Sequence, residues 1–143
     1  MESLKLHSDI LVVEDDEDYR AALCDVLALE GYAADGISSI QAYSALPNKE
    51  KYTLMLLDRN LPDGDGLDIL KMHRQDSSAP VVFITCEGRV EDRVAGIDAD
   101  ADYYLVKPVN TNELLSIVQR CFRRQHVKAN VWLVDLITWN LQD

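Results

Sequence analysis

The 143-residue chain is 48% hydrophobic and 27% charged, the balance of one soluble globular domain. Its 14 Lys and Arg against 25 Asp and Glu leave a formal net charge of −11, which argues against a folded unit that grips nucleic-acid phosphates or an anionic membrane. The longest apolar runs are four or five residues, far short of the roughly 20 that a membrane span requires.

In chain order, Ile10 to Val13 is an apolar run that ends in Glu14, Asp15 and Asp16. Ala22, Leu23, Val26, Leu27 and Glu30 follow at helical spacing, and Gly31 stops them. Tyr32 to Ile37 is a weaker strand. Ser38, with Gln41 three residues on, reads as a capping box for a short helix ending near Pro47. Thr53 to Leu57 is a strand delivered to Asp58, and Arg59 to Gly66 is a loop dense in Gly, Pro and Asp. Leu67, Leu70, Lys71 and Met72 continue as a helix to about Gln75. Pro80 opens the strand Val81 to Ile84, which ends at Thr85. Val90, Val94 and Ile97 share a helical face. Asp102 to Val106 is a fifth strand, ending at Lys107 and Pro108. Asn110 with Glu113 opens a last helix, with Leu114, Ile117, Val118 and Cys121 on its inner side, ending near Arg124.

This is a (βα)5 pattern. Continuous apolar strands between helices imply a parallel sheet covered on both faces. Right-handed crossovers leave few topologies, and the doubly wound, flavodoxin-like α/β order 2-1-3-4-5 is expected. Met1 to Ser8 holds no apolar stretch of a signal peptide. Cys24, Cys86 and Cys121 are scattered, odd in number and without a CxxC, so neither a disulfide framework nor a zinc site is expected; they fit a reducing cytoplasm.

Sites in open α/β sheets lie at the carboxyl ends of the strands. There the first strand delivers Glu14 and Asp15, the third Asp58, the fourth Thr85 and the fifth Lys107. Converging carboxylates repel, by roughly 4 kcal/mol per pair at about 4 Å and an effective dielectric near 20. A hard divalent cation relieves this, and carboxylates with water suit Mg2+. A carboxylate beside Mg2+ and an ammonium is poised to attack a phosphoryl group, with Thr85 donating a hydroxyl hydrogen bond. Singly, each residue has a plainer reading: Asp16 alone would serve as a helix cap, Asp58 as a turn residue, Thr85 as a strand end. The joint order at four of five strand ends is the specific signal.

The run Ile10 to Asp15, Leu57 and Asp58 with Leu61, Pro62, Asp65 and Gly66, the strand Pro80 to Thr85, and Tyr104 to Pro108 resemble the receiver domain of two-component response regulators. The resemblance covers roughly residues 9 to 124 and implies a CheY-like fold. It implies that Asp58 is the phosphoacceptor, that Glu14 and Asp15 hold Mg2+ with Asp58, and that Asn60 lends a backbone carbonyl. It makes Thr85 and Lys107 the phosphoryl-binding pair, Tyr104 the aromatic switch, and Lys107–Pro108 a cis peptide. Asn60 and Glu87, two positions after Asp58 and Thr85, would modulate hydrolysis. Three residues depart from the family pattern: Cys86 in place of Ala or Gly, Asp100 in place of Gly, and Val109 in place of Phe.

Within the family the chain is most similar to the OmpR/PhoB-like class. That class dimerises through the fourth helix, fifth strand and fifth helix by three ion pairs. Arg93 with Glu113 and Asp102 with Arg124 retain two of them, while the third falls on Tyr103 and Ile117. Val131 to Asp135 and Thr138 to Leu141 resemble the opening hairpin of a winged-helix effector. The expected organisation is therefore a receiver over 1–126 and, over 127–143, a linker or the start of a DNA-binding domain absent here. The implied partners are a sensor histidine kinase and a second copy of the chain, with DNA reached only through that absent domain. The receiver is a signal module rather than a turnover enzyme. The rival readings are a stand-alone interaction module, and a haloacid-dehalogenase-type phosphohydrolase. The latter needs a general acid two positions after its nucleophile, where this chain has Asn60.

Overall fold

The computed structural model describes residues 9–86 and 101–123. Strands β1 (Asp9–Val13), β3 (Leu54–Leu57) and β6 (Val81–Thr85) are the apolar runs, and they are buried almost end to end. A strand covered on both faces needs apolar side chains in both directions, so these runs do not alternate. β2 (Ala33–Ile37), with Asp35 and Gly36, stays largely exposed at one edge, and β7 (Tyr103–Val106) is half-buried at the other. Every pairing in this sheet is parallel, and the order is β2-β1-β3-β6-β7. Two-residue strands β4 (Asn60–Leu61) and β5 (Gly64–Asp65) form a separate antiparallel pair inside what reads in the sequence as loop. With that pair set aside, the main sheet has the expected doubly wound order.

Helix α1 (Glu17–Leu29) starts at Asp16, whose carboxylate accepts the Asp18 and Tyr19 N–H groups, so Asp16 fills its plain role as a cap. Gly31, at φ 89°, lies just past its end. Helix α2 (Ile40–Ala45) is capped by Ser39 rather than Ser38, through Ala42 N–H at 3.0 Å, so no Ser38–Gln41 box forms. Its other first-turn donors, the Ile40 and Gln41 N–H groups, go to the Asp63 carboxylate, 2.9 Å each, from the turn between β4 and β5. A remote carboxylate thus satisfies first-turn donors that the Ser39 hydroxyl does not reach. Helix α3 (Gly66–Asp76) is capped by Asp65 through Leu67 N–H.

Leu11, Val13, Met55, Leu57, Ile69, Leu70, Val81 and Phe83 belong to one core between the sheet and its helices. Each such side chain contributes about 1.5–3 kcal/mol by leaving water. Residues 112–123 belong to a second compact unit. Its helix, over 111–123, buries Leu114, Val118 and Cys121, leaves Ile117 half-buried and exposes Glu113. No helix among the described residues is long and apolar enough to cross a membrane. The expected helix carrying Val90, Val94 and Ile97, together with Glu87, Arg93, Asp100, Arg124 and the tail from Gln125, lies outside the described residues.

Candidate functional site

Main-chain ladders run one residue past the strand ends and hold the polar residues there. Glu14 N–H donates to Ile37 O at 2.9 Å, Asp58 N–H to Val13 O at 3.0 Å, and Lys107 N–H to Thr85 O at 2.9 Å. Each residue is thereby fixed at its Cα before its side chain makes any contact. The register that aligns Val13 with Leu57, Leu57 with Phe83, and Thr85 with Val106 brings them to one rim of the sheet.

At that rim one carboxylate oxygen each from Glu14, Asp15 and Asp58 lies within 4.8 Å of the others. Glu14 is 2% exposed and Asp58 4%. Asp15 is exposed and makes no hydrogen bond or ion pair among the described residues. The Lys107 ammonium donates to Glu14 Oε1 and, at 2.7 Å, to Asp58 Oδ2. Asp58 Oδ1 accepts Asn60 N–H at 2.9 Å, and Glu14 Oε2 accepts Asp16 N–H at 3.1 Å. Arg20 Nη1 donates to the Glu14 carbonyl at 2.8 Å.

The electrostatics follow from burial and pairing. Burial pushes the Glu14 carboxyl up, against the pull of Lys107 and the Asp16 N–H, and the nearby Asp58 charge adds to the rise. Burial opposes the Lys107 ammonium, but the hydrogen bonds it donates to Asp58 and Glu14 outweigh this and hold Lys107 protonated well above its ordinary value. Lys107 also meets an aromatic face: its Nζ lies 4.6 Å from the centre of the Tyr19 ring.

Around this cluster the backbone is tight. A Cβ on Gly66 would sit 2.2 Å from the Asp58 carbonyl oxygen, and Gly66 N–H donates to Arg59 O at 2.8 Å. Only glycine allows α3 to start so close to the phosphoacceptor candidate. Arg59, 9% exposed, forms a two-pronged pair with Asp65 at 3.0 and 2.8 Å. That pair holds the Arg59 guanidinium firmly charged, and Arg59 also hydrogen-bonds Tyr104. Tyr104 itself is half-buried and tilts against Phe83, with ring centres 5.6 Å apart.

The residues expected from the sequence at this rim are thus gathered there. Glu14, Asp15, Asp58 and Lys107 converge, Thr85 is fully buried and bonded through its carbonyl to Lys107, and Asn60 abuts Asp58. Lys107–Pro108 is cis. Cys86 is exposed beside Thr85. On the expected dimer face, Asp102 already has partners within its own chain: Oδ2 accepts from Arg74 Nη2 at 3.0 Å and from Val81 N–H at 2.8 Å. Tyr103 is half-buried. Residues missed in the sequence are Tyr19, Arg20, Arg59 and Asp63. Tyr19 and Asp63 make contacts across the fold, Arg20 and Arg59 make theirs across a turn of six positions, and none of them leaves a spacing pattern; for Arg59, an arginine directly after the strand that delivers Asp58 was the only visible signal.

A family model described as the response regulator receiver domain matches residues 10–119. The transcriptional regulatory protein PmrA of Pectobacterium parmentieri is 38% identical over 136 residues, which are 94% of this chain and 61% of that protein. The CheY-like receiver domain of Methanospirillum hungatei superposes with a TM-score of 0.79 at 28% identity, covering 85% of this chain and 98% of that one. DrrB of Thermotoga maritima, an OmpR/PhoB homologue, gives 0.73 at 26% identity over 82% of this chain and 53% of that one. The chain spans about half to three-fifths of the length of the curated relatives it matches, which are transcriptional regulatory proteins. The chain belongs to the response regulator receiver family.

Proposed function

We propose that this receiver domain accepts a phosphoryl group on Asp58 from the phosphohistidine of a sensor histidine kinase. The observation that carries the reading is the Asp58 carboxylate, held at the strand end by Val13 and Asn60 and bonded to Lys107 beside two further acids. An Asp58 oxygen attacks phosphorus in line, the P–N bond to the donor imidazole breaks, and its electron pair returns to the ring nitrogen. As the Asp58 charge becomes an acyl phosphate, the Lys107 ammonium moves from the carboxylate to a phosphoryl oxygen. The Thr85 hydroxyl donates to another.

Glu14, Asp15 and Asp58, with the Asn60 carbonyl, would hold Mg2+. The residues fit that ion: three hard oxygen donors lie within 4.8 Å, and the Asp15 carboxylate is uncommitted among the described residues. When bound, Mg2+ neutralises charge building on the phosphoryl oxygens. Glu14 and Asp15 orient the site, and Lys107 supplies the second positive charge. Asn60 sits where a side chain overhangs the phosphoryl group and helps align a hydrolytic water; Glu87 would act with it.

Once Asp58 is phosphorylated, Thr85 is drawn inward and Tyr104 follows, which changes the surface around β7. The output is transcriptional, through a DNA-binding domain beyond this chain. In support, the PmrA match leaves uncovered fewer residues than the tail past Arg124 contains, so the match runs into that tail. The homodimer reading rests on the pattern of Arg93, Glu113, Asp102, Arg124, Tyr103 and Ile117. A phosphohydrolase of the haloacid-dehalogenase type is disfavoured because Asn60 has no proton to give a leaving group.

Incubation with acetyl phosphate and Mg2+, read by intact mass, tests the reading. Wild type gains a single phosphate and stops, and withdrawal of Mg2+ prevents the gain. Asp58→Asn and Asp15→Asn gain none, although both keep the fold by circular dichroism. Continuous phosphate release would mark a phosphohydrolase, and phosphorylation of Asp58→Asn at the wild-type rate would refute the assignment.

A further inference from the structure

Tyr19 touches both ends of the Lys107–Val109 segment. Its backbone N–H is tied to the Asp16 cap at 3.1 Å, which sets the ring at the first turn of α1. The ring face lies 4.6 Å from Lys107 Nζ, and the hydroxyl accepts Val109 N–H at 3.3 Å. The Lys107 ammonium is therefore held by Glu14 and Asp58 on one side and by an aromatic face on another.

These two kinds of support differ over a phosphorylation cycle. The carboxylates change: Asp58 loses its charge on becoming an acyl phosphate, and both acids are shared with any bound cation. The quadrupole of the Tyr19 ring does not change. The ring is thus a fixed support about which the ammonium can swing from the Asp58 oxygen to the phosphoryl oxygen. The hydroxyl meanwhile steadies the backbone two residues on.

We propose that Tyr19 is a positioning residue for phosphoryl transfer: its ring keeps the Lys107 ammonium at Asp58, and its hydroxyl anchors the chain that carries Lys107. This rests on Asp58 being the phosphoacceptor. A residue that merely filled space here would be replaceable by leucine.

The test measures acetyl-phosphate phosphorylation of the full chain for wild type, Tyr19→Leu and Tyr19→Phe, each also combined with Lys107→Ala. Loss of a desolvated cation–π contact slows Tyr19→Leu about tenfold. Tyr19→Phe, which restores the ring, recovers the rate to within about threefold, the remainder reporting the lost Val109 bond. In the Lys107→Ala background Tyr19→Leu produces no further loss, because its effect passes through Lys107. In parallel, the ε-methylene protons of Lys107 carry an upfield ring-current shift in wild type and Tyr19→Phe, lost in Tyr19→Leu, whether or not phosphate is present. A Tyr19→Leu rate equal to wild type, or a loss fully additive with Lys107→Ala, overturns the proposal while leaving Asp58 as phosphoacceptor. Wild type that takes no phosphate overturns both. Unshifted ε-methylene protons refute the contact itself.

Discussion

Lys107 neutralises two carboxylates that the fold buries, so its removal has opposite effects on stability and on metal binding. In Lys107→Met the stem is kept and the charge is lost. The Glu14 and Asp58 side chains, 2% and 5% exposed, are left without a cation, whereas the Lys107 side chain they lose is itself only 13% exposed. Breaking such a buried pair by deleting one partner costs about 3–5 kcal/mol. Glu14, whose carboxyl burial already pushes up, limits the damage by taking a proton, so the lower end of about 3 kcal/mol is expected at neutral pH. In a domain of this size that lowers the thermal midpoint by about 10 °C.

Mg2+ affinity should move the other way. The ammonium and a dication compete for the same oxygens, and at about 5 Å with an effective dielectric near 20 they repel by about 7 kcal/mol. Even if the side chain swings aside and a fifth of this remains, Mg2+ binds about tenfold more tightly without Lys107. Urea unfolding in chelator and in excess Mg2+, with calorimetric titration of the ion, measures both. Lys107→Met should be less stable than wild type in chelator and regain about 1.4 kcal/mol of the difference in saturating Mg2+, the equivalent of tenfold tighter binding. Unchanged stability together with unchanged Mg2+ affinity would refute the reasoning, since the ammonium could not then be sharing those oxygens.

Three further outcomes are expected. The Glu14 carboxyl lies above 4.5 in the fold, so its contribution to stability is complete below the unfolded value and is lost as pH rises through the folded one. Metal-free Glu14→Gln escapes that loss, and its stability relative to wild type should rise as pH increases above the unfolded carboxyl value in urea titrations; a falling difference would mean that Lys107 outweighs burial. Gly66→Ala forces a methyl group to 2.2 Å from the Asp58 carbonyl oxygen, so the chain must shift. It should destabilise by about 3 kcal/mol in urea and slow acetyl-phosphate phosphorylation even where fully folded, unlike Gly31→Ala, which lies away from Asp58. Ile117→Glu should leave phosphorylation of Asp58 intact but abolish the phosphate-dependent dimer in sedimentation. The proposed dimer should survive high salt, because burying the remaining exposed half of Ile117 contributes about 1 kcal/mol per copy without screening, whereas an exposed ion pair contributes about 0–1 kcal/mol and weakens with salt.

Much of the fold was legible because burial dictates composition. The runs at Ile10, Thr53 and Val81 could only be strands covered on both faces, and their alternation with helical periods leaves one economical sheet order. The rim residues were legible for a related reason: Glu14, Asp58, Thr85 and Lys107 each follow an apolar run directly, Asp15 comes one position later, and a parallel sheet sends all such ends to one side. Distance along the chain is irrelevant to that argument, since the ladder fixes each Cα by backbone hydrogen bonds alone.

What the tertiary structure decided are contacts made by side chains whose reach is set by neighbouring elements. Asp63 looked like one more turn residue, yet it accepts the Ile40 and Gln41 N–H groups of α2 from up to 23 positions away in sequence, beside the Ser39 cap. Gly66 looked like a loop glycine, and its need comes from the Asp58 carbonyl against it. Asp102, expected in an intermolecular pair, accepts from Arg74 and Val81 within its own chain, which the sequence did not announce. Tyr19 carried no pattern at all, and Arg59 only its place directly after the strand that delivers Asp58. Apolar periodicity is written along one element and can be read from it, whereas a hydrogen bond or an aromatic face over an ammonium exists only once two elements have been brought to within a few ångströms of each other.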